Sequence, residues 1–551
     1  MSTITKLIAA AMVALLTITS AQAAPDEWDL RDVDSNGNYI YYKITSGNEL
    51  EVVDVENSNC TKLTIPQSIQ IKTSSTTTTY RVTAIGEWAL AALYKLTEVS
   101  LPTSIKRIKA NAFDNCNNLS KINLSSLTSL EVIEKLAFGG CQSLTSVYLP
   151  TYRDEIGDKA FFGCTNLQEL HLGDRTRILG SYILGYEKPK KLSKLTGQFT
   201  RNNEFLIHNN ILLAWAGYGK TVCNVPSWVT AVGAYAFYNN TTLKEVTFYR
   251  TVTDIGAYAF YGCSNLTSVQ FSDNSVKKIY SYAFAKCSSL TQISLPNMLT
   301  YLGEGAFLDC SSLNTILEIP ATLTKLPAYG FYGCKNQQIT KFPETLTEIG
   351  DYCFYGSAFR WETPLALFPA SLKRIGLYAF WGSGVRSAIF KEGFTTIERG
   401  AFCDCRLLQW ISLPSTIENI GIDAFRNCEN VEGSLVLIYR STPPVLYEST
   451  SPFAEISLNN VTLHVPKGYK GAYQYSSVWR NFGTIIDDLN PIIEVPGDVN
   501  GDGKVDISDL NVCINIILGT ASQSSYPDAD VNGDGKVDIT DVNAIINIIL
   551  G

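Results

Sequence analysis

A phenylalanine that returns at nearly constant spacing constrains this chain more than anything else in it. It stands at Phe113, Phe138, Phe161, Phe237, Phe260, Phe284, Phe307, Phe331, Phe354, Phe380, Phe402 and Phe425. The steps run from 22 to 26 residues, except for one of 76 between Phe161 and Phe237, about three periods. From Ile255 the chain reads IGAYAFYGCSNLTSVQF, and from Lys277 KKIYSYAFAKCSSLTQISLP. Each unit reads as a short strand ending at Ile-Gly, a turn carrying Ala-Phe, a Cys three residues on, a Leu, and a second strand of alternating residues. Gly256, Gly303, Gly350, Gly376 and Gly421 fall just before the turn, where a tight backbone is expected. Pro150, Pro296 and Pro414 follow strands, where proline ends pairing.

A unit of about 23 residues with one Phe and two short strands cannot bury its own apolar face. Stacked units can, each Phe, Leu and Ile covering its counterpart in the next coil. The fold class is therefore a mainly β repeat solenoid. Its ends need caps, because a bare terminal coil exposes apolar surface and sheet edge. Tyr41 to Ile44 and Glu51 to Val53 alternate as cap strands, with a polar hairpin loop over Thr76 to Thr79.

The pattern I-G-x-x-A-F-x-x-C-x-x-L-x-x-[VI]-x-[LF]-P, from Val82 to Val431, resembles the BspA-like leucine-rich-repeat proteins of bacterial surfaces. The resemblance implies surface display and binding of host or neighbouring-cell proteins. The expected layout is a β cap over 24–81, a solenoid over 82–433 (degenerate or inserted at 179–231), a second cap over 434–487 and a linker over 488–496.

Three sets of side chains compete for a functional role. Nine cysteines follow the repeat Phe by three residues, from Cys116 to Cys428, with Asn240, Ser357 and Ser383 in the same slot elsewhere. One cysteine per coil has no intrinsic partner, so buried thiols are favoured over disulfides. Tyrosines precede the Phe by two residues at Tyr235, Tyr258, Tyr282, Tyr329, Tyr352 and Tyr378. They either stack on one another at the turn or form a ligand stripe that grips through flat rings and hydroxyls. His171, His208 and His464 are scattered, with no nucleophile in a triad-like context.

The strongest chemical signal lies at the end. Asp498, Asn500, Asp502, Lys504 (through its carbonyl), Asp506 and Asp509 occupy positions 1, 3, 5, 7, 9 and 12 of a calcium loop, with Gly503 at position 6. The set returns 32 residues later as Asp530, Asn532, Asp534, Lys536, Asp538 and Asp541. Calcium, a hard cation taking six to eight oxygens, needs this donor set. Position 12 is Asp in both loops, and a helix follows each, over Leu510–Leu518 and Val542–Leu550. No helix is expected ahead of the loops, because Pro496 and Pro527 stand there.

The duplicated half-hand over 497–551 resembles a type I dockerin. The resemblance implies two calcium ions and a cohesin-like scaffold partner. It places the docking residues at Ile507, Ser508, Ile539 and Thr540 and, on the helices, at Ile514, Asn515, Ile546 and Asn547. The helix pairs stand where many dockerins carry basic residues, which makes a more apolar docking face.

Nine aspartates and two lysines in this segment supply −7 of the net charge of −8. No basic patch suggests nucleic acid. Lys6, the apolar run Leu7–Ile18 and Ala21-Gln22-Ala23 read as a signal peptide over 1–23, too short to span a bilayer. The reading is an exported, non-enzymatic binding protein, secreted or at the cell surface. The alternatives are a non-catalytic or accessory component of a polysaccharide-degrading, cellulosome-like complex, or a structural spacer.

Overall fold

The computed structural model describes residues 28–550 apart from 57–58, 181, 186–188, 190, 273–274, 315, 336–337, 340–341, 358–367, 432–434, 447, 490–498, 500–504, 524–525, 527–528 and 533–534. The expected signal peptide and most of the expected linker lie outside the described residues. The chain is a β-solenoid of about 16 turns with about 23 residues per turn and few helices. It falls into two units: one runs to Thr363 and includes Ile375–Gly384, the other comprises Pro364–Arg374 and everything from Val385.

The first unit opens with an antiparallel sheet of Leu30–Val33, Tyr39–Ile44 and Glu49–Glu56. The last of these pairs in parallel with Thr77–Ile85, and the chain continues coil by coil in one register: Ile85 beside Ile108, then Ile133, Ile156 and Leu179. The cap hairpin turns at Thr73–Thr76, so Thr77–Thr79 extend its strand and the loop sits just ahead of the expected place.

Parallel register brings identical positions together, and the phenylalanines become a column. Phe260, Phe284, Phe307 and Phe331 are fully buried, with centroids 5.1–5.5 Å apart and planes within 6° of parallel. Where the period lapses, Leu184 takes the Phe position. An antiparallel hairpin, Thr200–Arg201, Phe205–His208 and Ile211–Trp215, then enters the sheet before Ile211–Trp215 rejoins Ala231–Val232 in parallel.

The glycine column has a different cause from the expected one. A Cβ on Gly256 would lie 2.5 Å from the Ala234 amide nitrogen, and on Gly303 2.3 Å from that of Ser281. These glycines let one coil's backbone pass against the backbone of the coil before it.

Polar side chains complete the stack by serving backbone carbonyls of the preceding coil. Ser275 Oγ donates to Val252 O at 2.9 Å and Thr251 Oγ1 to Val229 O at 2.7 Å. Thr267 Oγ1 donates to Lys244 O at 3.0 Å and Asn265 Nδ2 to Thr241 O at 2.6 Å. These columns add side-chain hydrogen bonds from coil to coil beside the short strands.

In the second unit Ser387–Ile389, Trp410–Leu413, Leu435–Ile438, Thr462–Pro466 and Thr484–Leu489 form a parallel sheet. Phe402, Phe425 and Phe453 continue a column at 5.5 Å. Trp479 and Phe482 close it edge-on to Phe453, and the buried Trp479 donates its Nε1–H to Pro444 O at 2.9 Å. The final strand carries Asp487 and Asp488, charges that discourage further pairing. Beyond it, helices Ile507–Ile517 and Ile539–Leu550 pack Cys513, Val542 and Ile545 into a small core with Val499 and Ala529.

Candidate calcium module and binding surfaces

Both helices of the C-terminal module begin three residues earlier than their apolar patterns suggest. The reason is a reciprocal cap. Asp506 Oδ1 accepts the Ser508 N–H at 2.7 Å, while Asp509 Oδ2 accepts the Asp506 N–H at 2.9 Å. Asp538 and Asp541 repeat this with the Thr540 and Asp538 amides at 2.8 and 2.9 Å. Positions 9 and 12 of each loop are thus fixed by helix capping. The D-x-x-D spacing that does this is visible in the sequence, hidden behind its reading as ligands.

The position-12 carboxylates also tie the loops together. Asp541, fully buried, accepts the Asn532 N–H at 3.1 Å, and Asp509, fully buried, accepts the Val499 N–H at 2.8 Å. Asp530 accepts the N–H of Gly535, whose φ of +87° a side chain would strain. Burying a carboxylate is costly unless positive charge compensates it. An oxygen-only donor set around such a group fits a hard divalent cation. Asp530, Asn532, Lys536 (carbonyl), Asp538 and Asp541 would hold one ion, and Asp506 and Asp509 belong to the other set. Asp498, Asn500, Asp502, Lys504 and Asp534 lie outside the described residues. Among the described residues alone, no three His, Cys, Asp or Glu side chains converge as a metal centre.

The docking residues are mostly solvent-facing. Ile507 is 72% and Ile539 63% exposed, a large area of aliphatic surface for so small a module. Ile514, Asn515, Thr540 and Asn547 are exposed and Ser508 half-buried. Ile546 differs from its counterpart Ile514, being half-buried against the module core.

The tyrosines at −2 do stack. Tyr235, Tyr258 and Tyr282 follow at 5.1 Å, and Tyr329, Tyr352 and Tyr378 at 5.0 and 5.4 Å. A second column one residue after the Phe includes Tyr332, Tyr355 and Trp381 at 4.8 and 4.4 Å. The flat faces therefore meet each other, and the Tyr282 hydroxyl donates to Glu304 Oε1 at 2.7 Å. All six tyrosines at −2 are half-buried and hold φ between 49° and 59°, a left-handed backbone that costs a bulky residue about 1–2 kcal/mol. Asn111, Leu136, Lys159, Asp423, Gly305 and Gly400 hold the same left-handed position in other coils.

All fourteen cysteines are buried thiols, none in a disulfide. The column has a polar role that its spacing did not reveal. Cys263, Cys287, Cys310 and Cys428 each direct S–H at the carbonyl of the preceding coil's Phe, at 3.0–3.1 Å, and Ser357 Oγ donates to Phe331 O at 2.8 Å. The slot takes Cys or Ser because both can donate there.

Burial pushes Cys116, Cys164 and Cys263 from the usual 9.0 up to about 12. Above pH 9 the unfolded chain therefore loses thiol protons that the folded chain keeps. Stability is full below pH 9 and falls as pH rises towards 12, by about 1.4 kcal/mol per pH unit for each such thiol. Ellman's reagent at pH 8 is expected to find no reactive thiol in the native protein and fourteen after denaturation. Fewer than fourteen after denaturation would mean disulfides. A melting point unchanged from pH 8 to 10.5 would contradict the linkage.

The histidines are placed apart. His171 Nδ1 lies 2.8 Å from Thr196 Oγ1, His208 packs edge-on against Phe199, and His464 Nδ1 lies 2.7 Å from Asp488. Among the described residues no helix is long and apolar enough to cross a membrane.

Residues 55–191, 218–337, 315–432 and 360–467 match the family model described as BspA type leucine rich repeat region, and residues 496–550 match that of the dockerin type I domain. No curated protein matches the chain. Among solved structures, a leucine-rich repeat protein from Bacteroides ovatus ATCC 8483 is 24% identical, with a TM-score of 0.46, over 72% of this chain and 92% of that one. A leucine rich cell surface protein from Faecalibacterium prausnitzii A2-165 is 21% identical, with a TM-score of 0.44, over 70% of this chain and 94% of that one.

Proposed function

The chain belongs to the BspA-type leucine-rich-repeat family and carries a type I dockerin domain at its C-terminus, and from that premise we propose that it is an exported, non-enzymatic binding protein of the bacterial surface. The solenoid holds a protein ligand, and the dockerin tethers or assembles the chain on a cohesin-like scaffold. Both parts belong to non-catalytic families.

The observation that carries the ligand reading is the tyrosine column. Six rings share one left-handed turn position that Asn111, Leu136, Lys159 and Asp423 hold in other coils, so the turn itself does not ask for Tyr. A run of aromatic residues that the turn does not require is what supports use of the side chain. Stacking returns about 0.5–1.5 kcal/mol per pair, which offsets the strain without requiring Tyr for the fold. The hydroxyl edges of Tyr235, Tyr258, Tyr282, Tyr329, Tyr352 and Tyr378 then form the ligand stripe.

Two calcium ions organise the docking face. One is held by Asp498, Asn500, Asp502, Lys504, Asp506 and Asp509, the other by Asp530, Asn532, Asp534, Lys536, Asp538 and Asp541. When bound, each ion supplies the positive charge that the clustered carboxylates require. The docking face itself is Ile507, Ser508, Ile514 and Asn515 with Ile539, Thr540, Ile546 and Asn547.

Surface binding by the chain lacking 491–551 tests the reading against a spacer role. The truncated chain is expected to bind as the full one does. Changing Tyr258, Tyr329 and Tyr352 to Ser is expected to reduce that binding at least ten-fold with the fold intact. Binding that disappears with the dockerin would leave the spacer reading. Glycan hydrolysis by residues 24–488 would favour an accessory enzyme of a polysaccharide-degrading complex.

A further inference from the structure

The tyrosine column at the position two before the repeat Phe has a missing rung. Tyr235, Tyr258 and Tyr282 stack at 5.1 Å and Tyr329 and Tyr352 at 5.0 Å, but the coil between these two runs carries Gly305. The second column lapses in the same coil, where Leu308 stands in the place that Tyr332 holds in the next. Backbone hydrogen bonds keep the coils in step: the Tyr282 N–H donates to Glu304 O at 2.8 Å and the Gly305 N–H to Ala328 O at 3.0 Å. Tyr282 and Tyr329 are therefore two rungs apart, about 10 Å at the spacing of paired strands. Among the described residues Tyr282 contacts only the Tyr258 ring, and Tyr329 only those of Tyr332 and Tyr352.

The missing rung leaves a slot with walls. The half-buried Tyr282 stands on one side and the half-buried Tyr329 on the other, with the buried Gly305 as the floor. Leu308, half-buried, stands beside it, as Tyr332 stands beside Tyr329 at 5.9 Å. Tyr282 leans into the slot. A Cβ on Gly305 would lie 2.4 Å from Tyr282 Cε1, and the Tyr282 ring is tilted 18° from Tyr258, whereas Tyr235–Tyr258 and Tyr329–Tyr352 lie within 3° of parallel. Glu304, exposed at the rim, accepts the Tyr282 hydroxyl at 2.7 Å. Burial first, and the Glu304 charge with it, raise the Tyr258, Tyr282 and Tyr329 hydroxyls above their usual value, so the carboxylate bears on both walls. Lys286 of the preceding coil is engaged elsewhere, over the Tyr261 ring at 5.4 Å from its centre. Among the described residues Glu304 pairs with no cation.

A slot one ring wide between two aromatic walls takes a flat group, and a carboxylate at its rim selects a cation. Arginine is both: its guanidinium is planar and always charged, stacks on aromatic faces and pairs a carboxylate through two parallel N–H bonds. Lysine offers a compact, strongly hydrated ammonium that fills no flat slot. A Phe ring would fill it and leave Glu304 unpaired. We propose that the slot at Gly305 takes an arginine side chain of the solenoid's protein ligand, stacked between Tyr282 and Tyr329 and paired with Glu304. This rests on the reading of the tyrosine column as the ligand stripe, and it gives that stripe one anchor.

Saturation-transfer NMR of the full chain with the peptide acetyl-Gly-Arg-Gly-amide tests it, beside the same peptide carrying Lys, citrulline or Phe at the centre. Transfer to the arginine side chain is expected, with binding at least ten-fold tighter than that of the other three. Glu304→Gln, and Gly305→Tyr, which fills the slot with the residue of the neighbouring coils, are each expected to weaken arginine binding at least ten-fold with unchanged circular dichroism. No transfer to arginine, or equal binding by both variants, would overturn the proposal. The Phe peptide binding as tightly as the Arg peptide would overturn it in favour of an apolar slot. Surface binding separates the slot from the stripe: Gly305→Tyr is expected to lose it as the triple tyrosine variant does. Full binding by Gly305→Tyr, with the triple variant impaired, would end the slot alone. Full binding by both would end the stripe as well.

Discussion

Chelating calcium is expected to erase the melting transition of the C-terminal module while the solenoid transition stays where it was. The module is small, and its core is built on Val499, Cys513, Ala529, Val542 and Ile545. A core of that size supplies little net stability. Against it stand clustered carboxylates, two of them fully buried at Asp509 and Asp541. Without positive charge they oppose the fold. With free calcium at 1,000 times the dissociation constant, binding contributes about 4.1 kcal/mol per site. Metal binding and folding are therefore expected to coincide. Calorimetry of the full chain in calcium and in EGTA separates the two transitions. Asp541→Asn, which keeps the size and loses the charge, is expected to lower the module's transition in calcium and to leave the solenoid's untouched. A module transition unchanged by EGTA would contradict the coupling.

The second large effect concerns the phenylalanine column. Phe284 is fully buried between Phe260 at 5.1 Å and Phe307 at 5.5 Å. Phe284→Ala is expected to cost about 3–5 kcal/mol from lost burial and the cavity left behind, with two ring stacks lost besides. That is a large share of a typical domain's stability. In a solenoid, where each coil is held by its neighbours, the damage spreads to the coils on either side. Phe284→Leu is the informative comparison, because Leu184 already fills this position in one coil. The leucine variant is expected to lose less than half as much. Equal denaturation midpoints for the Ala and Leu variants would mean that the column does not carry the core.

The coil was legible because stacking in register makes the same residue meet itself, and a period of apolar residues is therefore a direct image of the interior. Phe, Leu and the small Cys or Ser slot could be placed from their spacing alone. The donor side of that slot was not legible: only the fold shows that Cys287 Sγ faces Phe260 O. The same holds for Gly303, where the constraint is the backbone of the neighbouring coil, far away in sequence. Ser275 and Thr251 read as ordinary loop hydroxyls until the preceding coil supplies the carbonyls they serve.

In the C-terminal module a candidate donor set could be written down because calcium loops use fixed positions. The start of each helix was missed because Asp506 and Asp538 are caps as well as candidate ligands.

Of the two proposed binding modules, only the dockerin is expected to depend on calcium. Affinity capture from a cell-surface fraction, with the immobilised full chain in calcium and in EGTA, tests that division most directly. One set of partners is expected to vanish both in EGTA and with Ile507→Asp/Ile539→Asp, and to be retained by the triple tyrosine variant. The other set is expected to vanish with the tyrosine variant alone. A single set of partners lost under all three conditions would contradict the account.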